Sequence, residues 1–404
     1  MKPSMTSGLR WYLTSSALFL IPGGIQMVLF PYLVAVVLHE SATRVGLAQM
    51  AGQIPMLLLL LFGGVVGDRV DQKRLLVLLQ TVMMAPPLII AVLHWNDLLS
   101  YTVLIAWAVF GGTLGAFAQP ARDALLNRIA GREIQRVVIL VIGVQFSIQI
   151  IGFAIGAMAS RTGITVVLCL QSFTMMCAML ATRRIPLQPL TGTRPPPQHP
   201  LRDIAEGLKM AWQSEAIRPA VIHAFSTGLF FAGSYIVVLP LMIRDLYGGS
   251  SKEIAFAFAA NMLGSSTTIF WLMRRGGIER SGRALLVGSL VSLSTLSILT
   301  QPLSEPVFYF VIYLWGVCGG MGMTMSRSIV QEAAPESHRA RLLSVFSLGM
   351  MGGMPFGSVM LGTCVDLFGP REAVWVPVTG VLLITLFLIF RTKLWQIKRQ
   401  HMAA

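Results

Sequence analysis

The string Gly64-Val-Val-Gly-Asp68-Arg69-Val-Asp71-Gln72-Lys73-Arg74 sets a small residue, acids and bases at fixed spacing directly after a long apolar run. The chemistry open to it is electrostatic rather than covalent. A carboxylate at one helix end is drawn to the positive N-terminus of a neighbouring helix, by about 0.3–1 kcal/mol when exposed and up to about 2 kcal/mol when partly buried. Asp68 is therefore a candidate latch that forms and breaks, with Gly64 allowing close helix approach beside it. Arg69 and Lys73 add the positive charge that holds a loop on one side of a bilayer. A degenerate copy, Glu279-Arg280-Ser-Gly-Arg283, stands in the second half of the chain. Arg122 and Arg327 follow two further apolar runs and complete the set of candidate gate residues.

A second group suits binding. Gln145, Gln149, Gly152 and Gly156 follow at i, i+4, i+7 and i+11, which puts two amides above two glycines on one helix face. Amides seek partners in hydrocarbon, and glycines let helices pack tightly; Gly349, Gly353 and Gly357 form a comparable packing face. Asn261, in another apolar run, needs a partner that is either a ligand or a second helix. His223 titrates near neutral pH if solvated, although a structural histidine is the preferred reading. No Asp, Glu, Lys or Arg lies inside an apolar run, so ion coupling would fall to groups at the run ends, of which Glu40, Asp123 and Asp366 are the nearest. The chain has no Gly-x-x-x-x-Gly-Lys loop and no His-Glu-x-x-His helix, so neither ATP drive nor metalloenzyme chemistry is expected, and no cofactor or metal.

The elements that position these residues follow from composition. Of 404 residues, 55% are hydrophobic and 12% charged, against roughly 25% charged in ordinary soluble domains. Twelve stretches lack any Asp, Glu, Lys or Arg: 11–39, 45–67, 75–96, 98–121, 137–160, 162–182, 219–243, 254–273, 284–304, 306–326, 342–365 and 373–390. Each is long enough for a helix to cross about 30 Å of hydrocarbon, whereas a barrel would show alternating segments of about ten residues. The first stretch is too long for the apolar core of a signal peptide and reads as a retained span. The fold class expected is an all-α membrane protein with twelve transmembrane helices. The loops on the side of the termini hold 26 of the 31 Lys and Arg residues, so both termini are expected in the cytoplasm of a bacterial inner-membrane protein. The net charge of +14 is thus topological, and no nucleic-acid partner is expected. The four cysteines all lie inside spans, where a thiol acts as a small apolar group.

Gly111, Gly115, Arg122, Arg136 and Gly152 recur 205 residues later as Gly316, Gly320, Arg327, Arg341 and Gly357. Two parallel six-helix halves follow, residues 1–182 and 219–404, joined by a cytoplasmic linker over 183–218. The linker opens proline-rich and then places Leu201, Ile204, Leu208, Ala211 and Trp212 at helical spacing, which predicts an amphipathic helix lying at the membrane surface or covering the span ends.

Gly-x-x-x-Asp-Arg with trailing bases between spans two and three, repeated in degenerate form at Glu279, resembles the signature of the major facilitator superfamily. Pro120-Ala-Arg122-Asp123, the Asp68 to Asp71 spacing, Glu206-Gly207-Leu208 and Val330-Gln-Glu332-Ala-Ala-Pro335 resemble its enterobactin and macrolide exporter subgroup. Gln72 departs from that pattern where a base is usual, and Phe153 where the antiporter pattern has proline. The resemblance implies alternating access between pseudo-symmetric halves, with spans one, four, seven and ten lining a cavity. It makes Gln26, Trp107, Tyr235 and Trp315 substrate-contact candidates beside Gln145, Gln149 and Asn261. It implies a monomer in a lipid bilayer exporting a small amphiphilic or apolar compound, with protons the candidate coupling ion. A lysophospholipid or lipid-like substrate, or uncoupled facilitation, remains an alternative, and a membrane-embedded enzyme a remote one.

The orientation is testable by labelling. In a cysteine-free background, a cysteine at Gln198 is expected to resist a membrane-impermeant maleimide in intact spheroplasts, and one at Asp97 to react. The reverse pattern would overturn the assignment of sides.

Overall fold

The computed structural model describes residues 7–130, 134–186, 200–275, 278–335 and 338–397; within these, the side chains of 61, 65, 67–69, 130, 134–140, 142, 143, 146, 200–204 and 340 are outside the description. Every regular element among the described residues is helical. Hydrocarbon offers the backbone no hydrogen-bond partner, so each uncharged run closes its own N–H to C=O ladder. Ten helices are long and apolar enough to cross a membrane: Ser7–Val37, Gln72–Trp95, Tyr101–Ile129, Ile164–Arg183, Ile217–Tyr247, Ser251–Arg275, Ser281–Ile298, Glu305–Ala333, Arg341–Phe368 and Glu372–Arg391. Helices Ala42–Arg69 and Ile134–Ala157 occupy the second and fifth expected runs. The protein is a multi-pass, all-α membrane protein, and these helices fit spans one to twelve in order.

The chain forms two compact units. One takes the chain up to Leu38, Ala51–Pro200 and Ser250–Ala255; the other takes His39–Met50, Leu201–Gly249 and everything from Phe256 onward. Each unit thus includes the first turns of one span from the other sequence half.

Within both units the same crossings recur. In the first, a Cβ on Gly152 of span five would stand 2.7 Å from the Gly24 Cα of span one, closer than real side chains come. In the second, a Cβ on Gly357 of span eleven would run into the Leu229 backbone of span seven. Gly152 and Gly357 are one of the pairs at the 205-residue offset, and both pack as expected of small residues. Spans two and four meet at Gly52 and Gly112, and spans eight and ten at Asn261 and Gly316. The close approach expected at Gly64 falls one residue earlier: a Cβ there meets nothing within 4 Å among the described residues, whereas one on Gly63 would strike the Ala116 carbonyl. The repeat also shows in backbone angles, since Gly163 and Gly369, which enter spans six and twelve, have φ of +96° and +92°. Only glycine adopts that region without strain.

Among the described residues, spans one and seven carry π-helical stretches. Span one is π-helical over Tyr32–Val37, directly after Pro31. Span seven is π-helical over Thr227–Ala232 and Ser234–Val238, just ahead of Pro240. Proline has no N–H to donate and crowds the preceding turn, so the ladder beside it widens. Pro240 leaves the Ile236 carbonyl without its α-helical donor, and the Gln49 amide donates to it at 3.4 Å.

The linker helix forms over Pro200–Gln213 and docks on span eleven. Ala211 is fully buried, Gly207 would place a Cβ 3.0 Å from Val345, and the Arg341 guanidinium donates to Glu206 at 3.1 Å.

Overpacking a close crossing costs about 1–3 kcal/mol. Gly152→Val and Gly357→Val should each lower the thermal unfolding midpoint in detergent by several degrees, while Gly64→Val stays near wild type. Equal midpoints for all three would contradict the crossing geometry.

Candidate functional site

In the second unit, the π-wound stretch of span seven brings an aromatic cluster together. The Tyr235 ring lies 4.5 Å from Phe258 of span eight and 6.4 Å, edge-on, from Trp315 of span ten. Phe231 stacks on Trp315 at 4.4 Å. The Tyr235 hydroxyl donates to the Phe258 carbonyl at 3.3 Å. The Trp315 indole Nε1 is buried with no acceptor among the described residues. A buried donor left unpaired costs free energy, which sets this N–H apart from the satisfied polar groups around it. Asn261 finds its partner in a helix rather than a ligand: its Nδ2 donates to the Ile312 carbonyl of span ten at 3.4 Å.

The first unit carries the amides. Gln171 of span six donates to Gln26 Oε1 at 3.4 Å and to the Pro22 carbonyl at 3.5 Å, so Gln26 is tied to a neighbour within its own unit. Gln149 donates to the Met27 sulfur at 3.0 Å, and Gln145 is exposed. Trp107 is buried edge-on against Phe30 at 5.9 Å, a packing position.

The gate candidates are distributed unevenly. Asp68 and Arg69 end the helix of span two, and their side chains lie outside the described residues. Asp71 has a local task, capping span three by accepting from the Arg74 N–H at 2.8 Å. Gln72 is buried and accepts from Arg128 at 2.7 Å, and Lys73 donates to the Ile185 carbonyl at 2.7 Å. Arg122 is buried within span four, its guanidinium 4.7 Å over the Phe19 ring and its Nε without an acceptor among the described residues. Glu279, Arg280 and Arg327 are exposed.

The interaction sought at Asp68 is present at Asp366. Its carboxylate, at the end of span eleven, accepts from the Ala42 and Thr43 N–H groups at 2.8 Å each and so caps the N-terminus of span two. The neighbouring Arg244 donates to the Glu40 carbonyl at 3.0 Å. A related contact lies in the first unit, where Ser251 at the start of span eight accepts from the Ser160 N–H at 3.1 Å and donates to the Ala157 carbonyl at the end of span five. Of the other span-end acids, Glu40 pairs with Arg44 at 2.6 Å and Asp123 accepts from Gln119 at 3.3 Å.

Sequence reasoning missed Phe231, Phe258, Gln171 and the Asp366 cap. Gln171 carried a signal as an amide in an apolar run; the two phenylalanines carried none, because only tertiary packing sets Phe231 against Trp315 and Phe258 against Tyr235. No three His, Cys, Asp or Glu side chains converge on a metal geometry among the described residues.

A profile described as the Major Facilitator Superfamily matches residues 12–347. The multidrug efflux pump Tap of Mycolicibacterium fortuitum is 25% identical over 92% of each chain. The enterobactin exporter EntS of Shigella boydii is 23% identical over 91% of this chain and 87% of its own. The crystal structure of the nucleoside transporter NupG superposes with a TM-score of 0.74 at 11% identity, covering 95% of this chain and 98% of that one, which speaks for the fold alone.

A helix cap of this kind is worth about 0.5–2 kcal/mol. Asp366→Ala is expected to raise maleimide reactivity of a cysteine at Thr43 several-fold, and Asp366→Asn to give a smaller rise. Unchanged reactivity in both would show that the cap does not hold the start of span two.

Proposed function

From the premise that the chain belongs to the major facilitator superfamily, we propose that it is a secondary active exporter of a small amphiphilic or apolar compound, drug- or siderophore-like, acting in a bacterial inner membrane with both termini cytoplasmic. The observation that carries this reading is the unpaired Trp315 indole N–H set among the rings of Phe231 and Tyr235. An aromatic wall with one free donor suits a largely apolar solute bearing a single acceptor. It offers nothing to a sugar phosphate, whose charge would need a fixed base. The efflux pump and exporter among its relatives support the outward direction.

In the proposed cycle the two six-helix halves, residues 1–182 and 219–404, alternate access to the solute. Asp68, with Gly64, Arg69, Lys73 and Arg122, latches one face together with Glu279, Arg280 and Arg327. Asp366 on span two, and Ser251 on span five, hold the opposite ends of the spans while that first face is open. Protons are the proposed coupling ion and a monomer the working form. A lipid-like substrate is the second reading, favoured by an apolar groove of about 400 Å³ lined by Leu208 and Trp212 of the linker helix with Phe225 and Leu348.

The test is accumulation of ethidium, a macrolide, a catecholate siderophore and a fluorescent lysophospholipid in efflux-deficient cells with and without the protein. At least one of the first three is expected to accumulate several-fold less in expressing cells. Trp315→Phe, which keeps a ring but loses the donor, should weaken that export by about three- to ten-fold, the worth of one hydrogen bond. Transport of the lysophospholipid alone would transfer the assignment to the second reading.

A further inference from the structure

We propose that His223, held between Ser289 and Ser326, is a buried proton-binding site, which deepens the exporter reading by naming where a coupling proton binds. His223 sits on span seven, four residues ahead of the π-helical stretch at Thr227–Ala232. Its two ring nitrogens meet hydroxyls from two other spans, Nε2 at 3.0 Å from Ser289 Oγ and Nδ1 at 2.9 Å from Ser326 Oγ.

The protonation state follows from the hydroxyls. Ser289 already donates to the Leu285 carbonyl at 3.0 Å, so toward the ring it accepts, and Nε2 carries the hydrogen. Nδ1 is then the acceptor, and the Ser326 hydroxyl donates to it. The ring is neutral, with one lone pair facing a hydroxyl that can rotate. A proton arriving at Nδ1 makes it a donor to Ser326 Oγ, and to Thr227 Oγ1, 3.5 Å away. The Ser326 hydroxyl need only swing its hydrogen to a carbonyl one turn back in its own helix, as serines in helices do. One proton is gained, one rotor turns, and every hydrogen bond keeps a donor.

The surroundings decide what that charge does. A small cavity of about 40 Å³ adjoins the ring, with Ser226, Ser292 and Thr385 among its lining, room enough for water beside the imidazole. Cys318 is its other titratable lining group, and no Asp, Glu, Lys or Arg lines it. The charged residues of the helices packed around His223 lie outside that lining: Arg218, Arg244 and Asp245 on span seven, Arg283 on nine, Glu305, Arg327 and Glu332 on ten, Arg339, Arg341 and Asp366 on eleven, and Glu372 and Arg391 on twelve. An imidazolium there gains no counter-ion, so protonation opposes the closed packing and favours an arrangement that admits water. Phe231 carries the effect onward, since it lines the same cavity and stacks on Trp315 at 4.4 Å.

The site is tested with the full chain in vesicles of phosphatidylethanolamine and phosphatidylglycerol, with ethidium as probe. His223→Gln is expected to lose accumulation driven by a pH gradient while keeping gradient-free exchange within about two-fold, as a ring lost only from a coupling step requires. Gradient-driven accumulation equal to wild type overturns the proposal. Should His223→Gln lose both activities, Ser326→Ala decides: the pH midpoint of transport is expected to move by about one unit, and an unmoved midpoint overturns the site. A wild-type protein that does not carry ethidium counts against the exporter reading for that probe and leaves the site to nitrogen-15 spectra of the histidine-labelled protein in nanodiscs, with the His223 signal identified by its loss in His223→Gln. One Nε2–H tautomer near pH 8 converting to imidazolium by about pH 4.5 supports the site; a ring neutral throughout overturns it.

Discussion

At Gly152 and Gly357 two helices approach until no Cβ fits between them, and most of the other contacts depend on that closeness. Between helices in lipid there is no hydrophobic driving force, because the tails are as apolar as leucine; association rests on dispersion contacts and on hydrogen bonds that only close approach makes possible. Gln149 reaches the Met27 sulfur across the crossing of spans five and one. Ser265 reaches the Gly316 carbonyl at 3.0 Å across the crossing of spans eight and ten. Removing a side chain at the crossing therefore gives both packing and polar satisfaction.

The same constraint explains where the helices are not regular. A proline in a span frees a carbonyl that water cannot reach, so the chain answers with wider winding and a neighbouring amide, as Pro240 and Gln49 do for Ile236. The widened stretch carries Phe231 and Tyr235 toward Trp315, which makes the irregular part of span seven also its chemically distinctive part. π-helical turns cost regular hydrogen-bond geometry, and they recur at functional positions because they turn side chains that an α-helix would aim elsewhere.

Several charges at helix ends cap backbone groups. Asp71 caps its own helix, Asp366 caps the start of span two, and Lys73 and Arg244 each satisfy a carbonyl. A carboxylate on free N–H groups is a contact that can be broken without burying an unpaired charge, provided the end it leaves opens to water. Arg122 has a different setting: it stands inside a helix, buried, over the face of Phe19.

Composition and charge spacing by themselves determined the class of protein, the helical runs and the linker helix, because the bilayer imposes length and polarity on each span separately and leaves a one-dimensional trace, while the loop motifs carried the resemblance to the family. The 205-residue repeat was legible for the same reason, since glycines needed at a crossing must recur wherever that crossing recurs. Tertiary structure alone decided which residues meet. It placed a tight crossing at Gly63, gave Asn261 a helix carbonyl for partner, set Trp107 against Phe30 and put a helix-capping acid at Asp366. It also set His223 between two serines that lie 66 and 103 residues away in sequence. Hydropathy records how deep a residue sits and not which neighbour it faces, and that facing is fixed by helix rotation, by crossings and by the local widening at proline.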